Sequence, residues 1–222
     1  MALREMQTAA AQVVFLPKAT RRDVEEVGRR FHYHPLDLEA VLAVPERSKV
    51  SSYGQYTFLT LLWPTNDGRL TDIRFFVDQR QLIIIGDTAD HLTDSWWSQL
   101  LDQGQSAMNQ LTPVELLADV LRQWIAMAMP MAPAWPTPIV NVLSATAQTV
   151  WEMQHMALAA GTITPAEQAD LALLAHQLEQ VPHGSVMSAP VVHGLRPMRW
   201  LNGYAVASAV TMIIVILALT RH

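Results

Sequence analysis

The chain has 222 residues, half of them hydrophobic, and 15 Lys or Arg set against 20 Asp or Glu leave a formal charge of −5. That length accommodates one core of about 100–150 residues with an appendage. With no cysteine, disulfides, thiolate metal sites and cysteine nucleophiles are excluded, and a mildly acidic body without clustered Lys and Arg gives no electrostatic footing for nucleic acid.

Charge is unevenly placed. Residues 1–129 carry 12 basic and 16 acidic groups, residues 130–195 none and 4, and residues 196–222 carry 3 and none. The first eight residues hold a charge of each sign and no apolar run of signal-peptide length, which predicts that the domain stays in the cytoplasm. Gln12–Leu16 reads as a short strand, and Thr20 with Asp23 forms a capping pair for a helix reaching about Phe31. Pro35 opens a second short helix that Pro45 stops. β-rich runs follow at Tyr53–Trp63, Leu70–Asp78 and Gln81–Gly86, joined by the turn signals Asn66-Asp67-Gly68 and Asp78-Gln79, so hairpins are expected.

After Ala89 the pattern turns helical. Thr112-Pro-Val-Glu115 is a start signal for Leu117, Val120, Leu121, Trp124, Ile125 and Ala128 at helical spacing, and Thr164-Pro-Ala-Glu167 opens a helix with Leu171, Leu174, Ala175 and Leu178 on one face. Glu167, Asp170 and Glu179 line the other face of that helix, so its apolar stripe is read as a packing seam rather than a membrane-surface helix. Between these helices, Gln123 to Trp151 contains no charged residue and is interrupted by Pro130, Pro133, Pro136 and Pro138. Two readings stay open for it: a helix break packed on protein, or a poor second membrane segment.

Leu201 to Thr220 is a run of 20 residues without a charge. At about 1.5 Å per residue such a helix covers roughly the 30 Å hydrocarbon core. Trp200 and Tyr204 stand where amphipathic rings favour the headgroup level, and Gly203 begins a series of small residues that permits close helix contact. Arg196 and Arg199 precede the run and Arg221 follows it. The bias predicts a single-pass anchor in the cell (inner) membrane with the N-terminal domain cytoplasmic. The expected organisation is an α/β domain over 1–129, a helical region over 130–181, a linker over 182–200 and a transmembrane helix over 201–220.

Residues Val24–Leu42 (VEEVGRRFHYHPLDLEAVL) and Glu46–Leu59 (ERSKVSSYGQYTFL) resemble the cytoplasmic domain of the CorA-type magnesium and divalent metal-ion transporter family. The His-Pro-Leu-x-Leu-Glu helix start, the Arg-x-Lys-Val and the Tyr-x-Phe strand carry the likeness. Met198–Tyr204 (MRWLNGY) with the aliphatic run behind it is similar to the approach to that family's final membrane helix. The resemblance implies an α/β/α sandwich-like cytoplasmic domain, a helical stalk, assembly as a homo-pentamer, and a function related to transport of magnesium or another divalent cation. It also places Glu39 at an acidic position of a regulatory divalent-ion site between subunits, although the neighbouring aspartate is replaced by Ala40.

The family's pore helix ends in Gly-Met-Asn, a tripeptide that this sequence lacks; Ala107-Met108-Asn109 lies in a polar segment. The expectation is therefore a CorA-like membrane protein without an evident selectivity filter. The alternative is a non-conducting, membrane-anchored regulatory or interaction protein that partners a full-length CorA-like protein or another membrane protein. His32 and His34, two residues apart, do not share a helix face, and His34 is expected to cap the turn before Pro35. His183 and His193 are read as linker residues. No Gly-rich phosphate loop, HExxH or nucleophile elbow is present, so no enzymatic activity and no cofactor beyond a divalent cation is expected.

Overall fold

The computed structural model describes residues 3–65, 69–86, 91–102, 110–128, 130, 135–159, 161 and 163–181. The expected linker 182–200, the anchor 201–220 with Trp200, Gly203 and Tyr204, the Asn66–Gly68 turn, Met108 and the two linker histidines lie outside the described residues.

Six strands form one sheet: β1 (Arg4–Gln7), β2 (Gln12–Pro17), β3 (Lys49–Ser52), β4 (Thr57–Pro64), β5 (Leu70–Val77) and β6 (Gln81–Gly86), in the order β1-β2-β6-β5-β4-β3. The β2–β6 pair is parallel and the other four pairs are antiparallel. Side chains alternate across a strand. Leu59, Leu61, Trp63, Ile73, Phe75, Leu82 and Ile84 therefore enter one core, while Phe58, Phe76, Ile83 and Ile85 enter another on the opposite face. Burial on both faces is why the central strands read as nearly continuous apolar runs. It also fixes register, because a one-residue slip would exchange the two sets.

Helices α1 (Arg21–Phe31) and α2 (Pro35–Leu42) cover the second core. On the other face lie α3 (His91–Asp102), α4 (Pro113–Ala128), α5 (Thr137–Ala159) and α6 (Pro165–Gln180). Helix α5 packs on β3 and β4, α4 on β6, and α6 on α4 and α5. The result is an α/β/α arrangement, as the resemblance implied.

Three details differ from the sequence reading. The N-terminal residues add β1, which the sequence did not announce. The Tyr53–Trp63 run does not begin as a strand: its first residues form a turn at Gly54, whose φ is +76°, between β3, which precedes the run, and β4, which starts at Thr57. The end of the uncharged stretch, from Thr137, and the residues behind it to Ala159 form the 23-residue α5, with Pro138 in its first turn, where a missing N–H costs nothing. Its Leu143, Ala147, Val150, Met153 and Ala157 are buried in the sheet-facing core, so packing on protein is the reading that holds. Among the described residues no helix is long and apolar enough to cross a membrane.

Two polar devices fix α5 and α6. Thr146 Oγ1 donates to the Leu62 carbonyl at 2.9 Å, so its oxygen receives the Ser48 hydroxyl at 2.9 Å, and Ser48 Oγ in turn accepts the Leu62 N–H at 2.9 Å. Helix α5 is thereby tied to β4 and the start of β3. The Thr164/Glu167 pair closes a capping box on α6, and the second Glu167 oxygen accepts the Thr112 hydroxyl that caps α4 together with Glu115. One carboxylate thus serves two helix starts. Replacing Glu167 with alanine is expected to cost about 1 kcal/mol, the usual scale of a lost cap, with Glu167→Gln less affected, as read from denaturant midpoints.

Candidate functional site

A buried polar site is built around the first turn of α2. Pro35 starts the helix, and the His34 side chain caps it, its Nδ1 accepting the Leu36 N–H at 3.3 Å. Asp37 lies in this turn and is 4% exposed. Its carboxylate is held by two tyrosines from the turn between β3 and β4: Tyr53 donates to Oδ1 at 3.1 Å and Tyr56 to Oδ2 at 2.8 Å. Tyr56 Oη also accepts the His34 N–H at 2.8 Å. The His34 ring stacks on Tyr53 with centroids 5.3 Å apart, which closes a ring of contacts around the start of the helix.

Behind it, Tyr33, Tyr56, Phe58 and Phe76 form an aromatic floor, Tyr33 stacking on Phe76 at 4.1 Å. Burial pushes the Tyr33 and Tyr56 hydroxyls far above the usual phenol range, and the Asp37 carboxylate adds to the rise at Tyr56. Both remain protonated donors at any physiological pH. An acidic residue in the first turn also meets the positive end of the helix dipole.

The other end of α2 is held from the sheet. Arg74 of β5 is buried, ion-paired to Asp72, and donates from Nη2 to the Ala43 carbonyl at the helix C-cap at 2.6 Å. Burial lowers its guanidinium pKa, and Asp72 opposes the shift. A Cβ at Gly28 of α1 would run into the Leu38 side chain, so the two helices approach closely there.

Glu39 is exposed on this doubly held helix, and Ala40 beside it is half-buried. Among the described residues no three His, Asp or Glu side chains come together as a metal-binding group. Helix α2 presents Glu39 to solvent. Asp37, although two residues away, spends both oxygens on the tyrosines. Sequence reasoning passed over Asp37: its place in a helix start was visible, but its partners lie 16 and 19 residues on.

No protein-family model matches the chain, and none of the curated proteins does. Solved structures share its fold. The cytoplasmic domain of ZntB from Vibrio parahaemolyticus RIMD 2210633 aligns over 81% of this chain and 84% of its own, with a TM-score of 0.53 and 10% identity. The soluble domain of CorA from Methanocaldococcus jannaschii aligns over 78% and 81%, with a TM-score of 0.55 and 9% identity. The complete CorA magnesium transporter from the same organism aligns over 95% and 74%, with a TM-score of 0.56 and 9% identity. The chain is thus an α/β protein with the fold of CorA-like cytoplasmic domains.

Proposed function

We propose that the chain is a CorA-like membrane protein related to transport of magnesium or another divalent cation. The observation that carries this reading is the helix start His34-Pro-Leu-Asp-Leu-Glu39, held at both ends on a CorA-like fold with Glu39 turned to solvent. In this account the α/β unit sits on the cytoplasmic side of the cell (inner) membrane. Residues 201–220 anchor it, with Trp200 and Tyr204 at the headgroups and Gly203 at a helix contact. Copies associate as a homo-oligomer, five-fold by resemblance, and no catalytic step is assigned.

In this reading Glu39 is a ligand for a regulatory divalent ion, with the remaining oxygens supplied by another copy and water, since a hard cation takes six or more oxygen ligands. In a Mg2+ titration of the full chain in detergent, thermal stabilisation should follow ligand concentration. Glu39→Gln is expected to weaken it about tenfold, equivalent to about 1.4 kcal/mol. Equal titrations of the two proteins would remove Glu39 from the site.

Function itself is tested by reconstituting the chain in liposomes and following entry of Mg2+, Co2+ or Zn2+. Flux above that of empty liposomes supports a conducting oligomer. The second reading, a non-conducting regulator, is favoured by the absence of a Gly-Met-Asn tripeptide from the sequence. It predicts no flux and co-purification with a full-length CorA-like protein. Folded oligomers that neither conduct nor capture such a protein would sink both.

A further inference from the structure

Helix α3 packs on the body through buried apolar side chains and a polar bond to α4. Trp96, Trp97 and Leu100 are buried, and the Trp97 ring lies 5.8 Å from Phe15. The polar bond runs from the fully buried Trp96 indole N–H to Asp119 Oδ2 on α4, at 3.1 Å. Gln123, one turn further along α4, donates to the same oxygen at 3.4 Å. Asp119 is 8% exposed.

A carboxylate is a costly acceptor in such a place, because removing it from water penalises the charged form. The bond does not require the charge, because a neutral carbonyl oxygen also accepts an indole N–H, although the bond to the carboxylate is the stronger. Among the described residues the charged side chain that acts on Asp119 is Arg122, on the same helix, and Arg122 is itself paired with Asp170 of α6. Burial raises the Asp119 pKa, while the Trp96 bond, the Arg122 charge and the Gln123 bond each pull it part of the way back.

We propose that docking of α3 is linked to a proton: Asp119 takes one up from water as α3 closes over it and returns it when the helix lifts away. The sign follows from linkage. A group whose pKa is higher in the closed state binds more protons there, so closure is favoured as pH falls through the closed-state value. The effect is complete below the ordinary aspartate value of about 3.9. Within that window acid tightens α3, opposite to the usual loosening of carboxylate-stabilised structure.

The test is amide hydrogen exchange of the full chain in detergent across acid and neutral pH, corrected for intrinsic exchange, comparing peptides of 91–102 with peptides of 139–157. For the wild type the opening constant of α3 should fall by up to about tenfold per pH unit inside the window, with no such change in α5. Asp119→Asn should open less than wild type at neutral pH and show no slope. Trp96→Phe keeps the buried carboxylate without its donor, so it should shift the window to higher pH. A flat wild-type profile, a slope retained in Asp119→Asn, or an unmoved window in Trp96→Phe would overturn the proposal.

Discussion

Replacing Asp37 with alanine should cost about 3 kcal/mol of stability, because hydrogen bonds to a charged group are each worth about 1.5–3 kcal/mol and one of the two donors left behind is buried. Tyr56 is that donor. It is 6% exposed, sits on an aromatic floor, and keeps only the bond it accepts from the His34 N–H. Tyr53 is half out of the protein, so water replaces its lost acceptor at small cost. Asp37→Asn keeps one acceptor oxygen and should lose about 1 kcal/mol, whereas Tyr56→Phe removes a bond to the charged carboxylate and should lose about 1.5–3 kcal/mol. Urea unfolding of the full chain in detergent measures all three. If Asp37→Ala lost no more than Tyr53→Phe, the tyrosine pair would not be what holds α2 in place.

Trp124→Ala should be costlier still, about 3–5 kcal/mol, the usual range for emptying a large aromatic site. Trp124 is fully buried on α4 and meets Trp63 of β4 at 5.2 Å and Phe75 of β5 at 5.9 Å. It is where the second helical layer locks to the sheet. Its indole nitrogen is buried with no hydrogen-bond partner among the described residues, which makes the conservative change informative. Trp124→Phe removes the unsatisfied donor along with part of the volume, so relief of desolvation offsets lost packing and the loss should stay below about 1.5 kcal/mol. Thermal midpoints of the two variants separate these contributions. Equal losses would mean that the indole nitrogen carries no penalty.

What was legible in the sequence was local physics. Thr20 with Asp23 and Thr164 with Glu167 announce capping boxes four residues long, and both are present. The apolar runs of β4, β5 and β6 show because these strands are covered on both faces. Helix α5 was obscured by the prolines before it and by Thr146 and Thr149, polar residues that are buried because their hydroxyls reach carbonyl oxygens. Strand β1 has no periodic signal of its own; it exists through antiparallel pairing with β2, aided by the Glu5–Arg30 ion pair.

The candidate site was legible in a different way. Glu39 was named by resemblance alone, and the structure places it exposed on α2. The Asp37 hub could not be read, because it depends on a turn between β3 and β4 that the continuous Tyr53–Trp63 run conceals. Asp119 was hidden likewise: its donor Trp96 lies on another helix, and one Asp among the apolar positions of α4 carries no pattern. Long-range pairings of this kind depend on tertiary contacts that spacing alone does not record.

The most direct test of the account is the number of copies in the purified full chain, measured by native mass spectrometry in detergent micelles. A CorA-like membrane oligomer predicts one discrete assembly larger than a dimer, five-fold by the resemblance, that persists on dilution. A monomer across detergents and concentrations would contradict it.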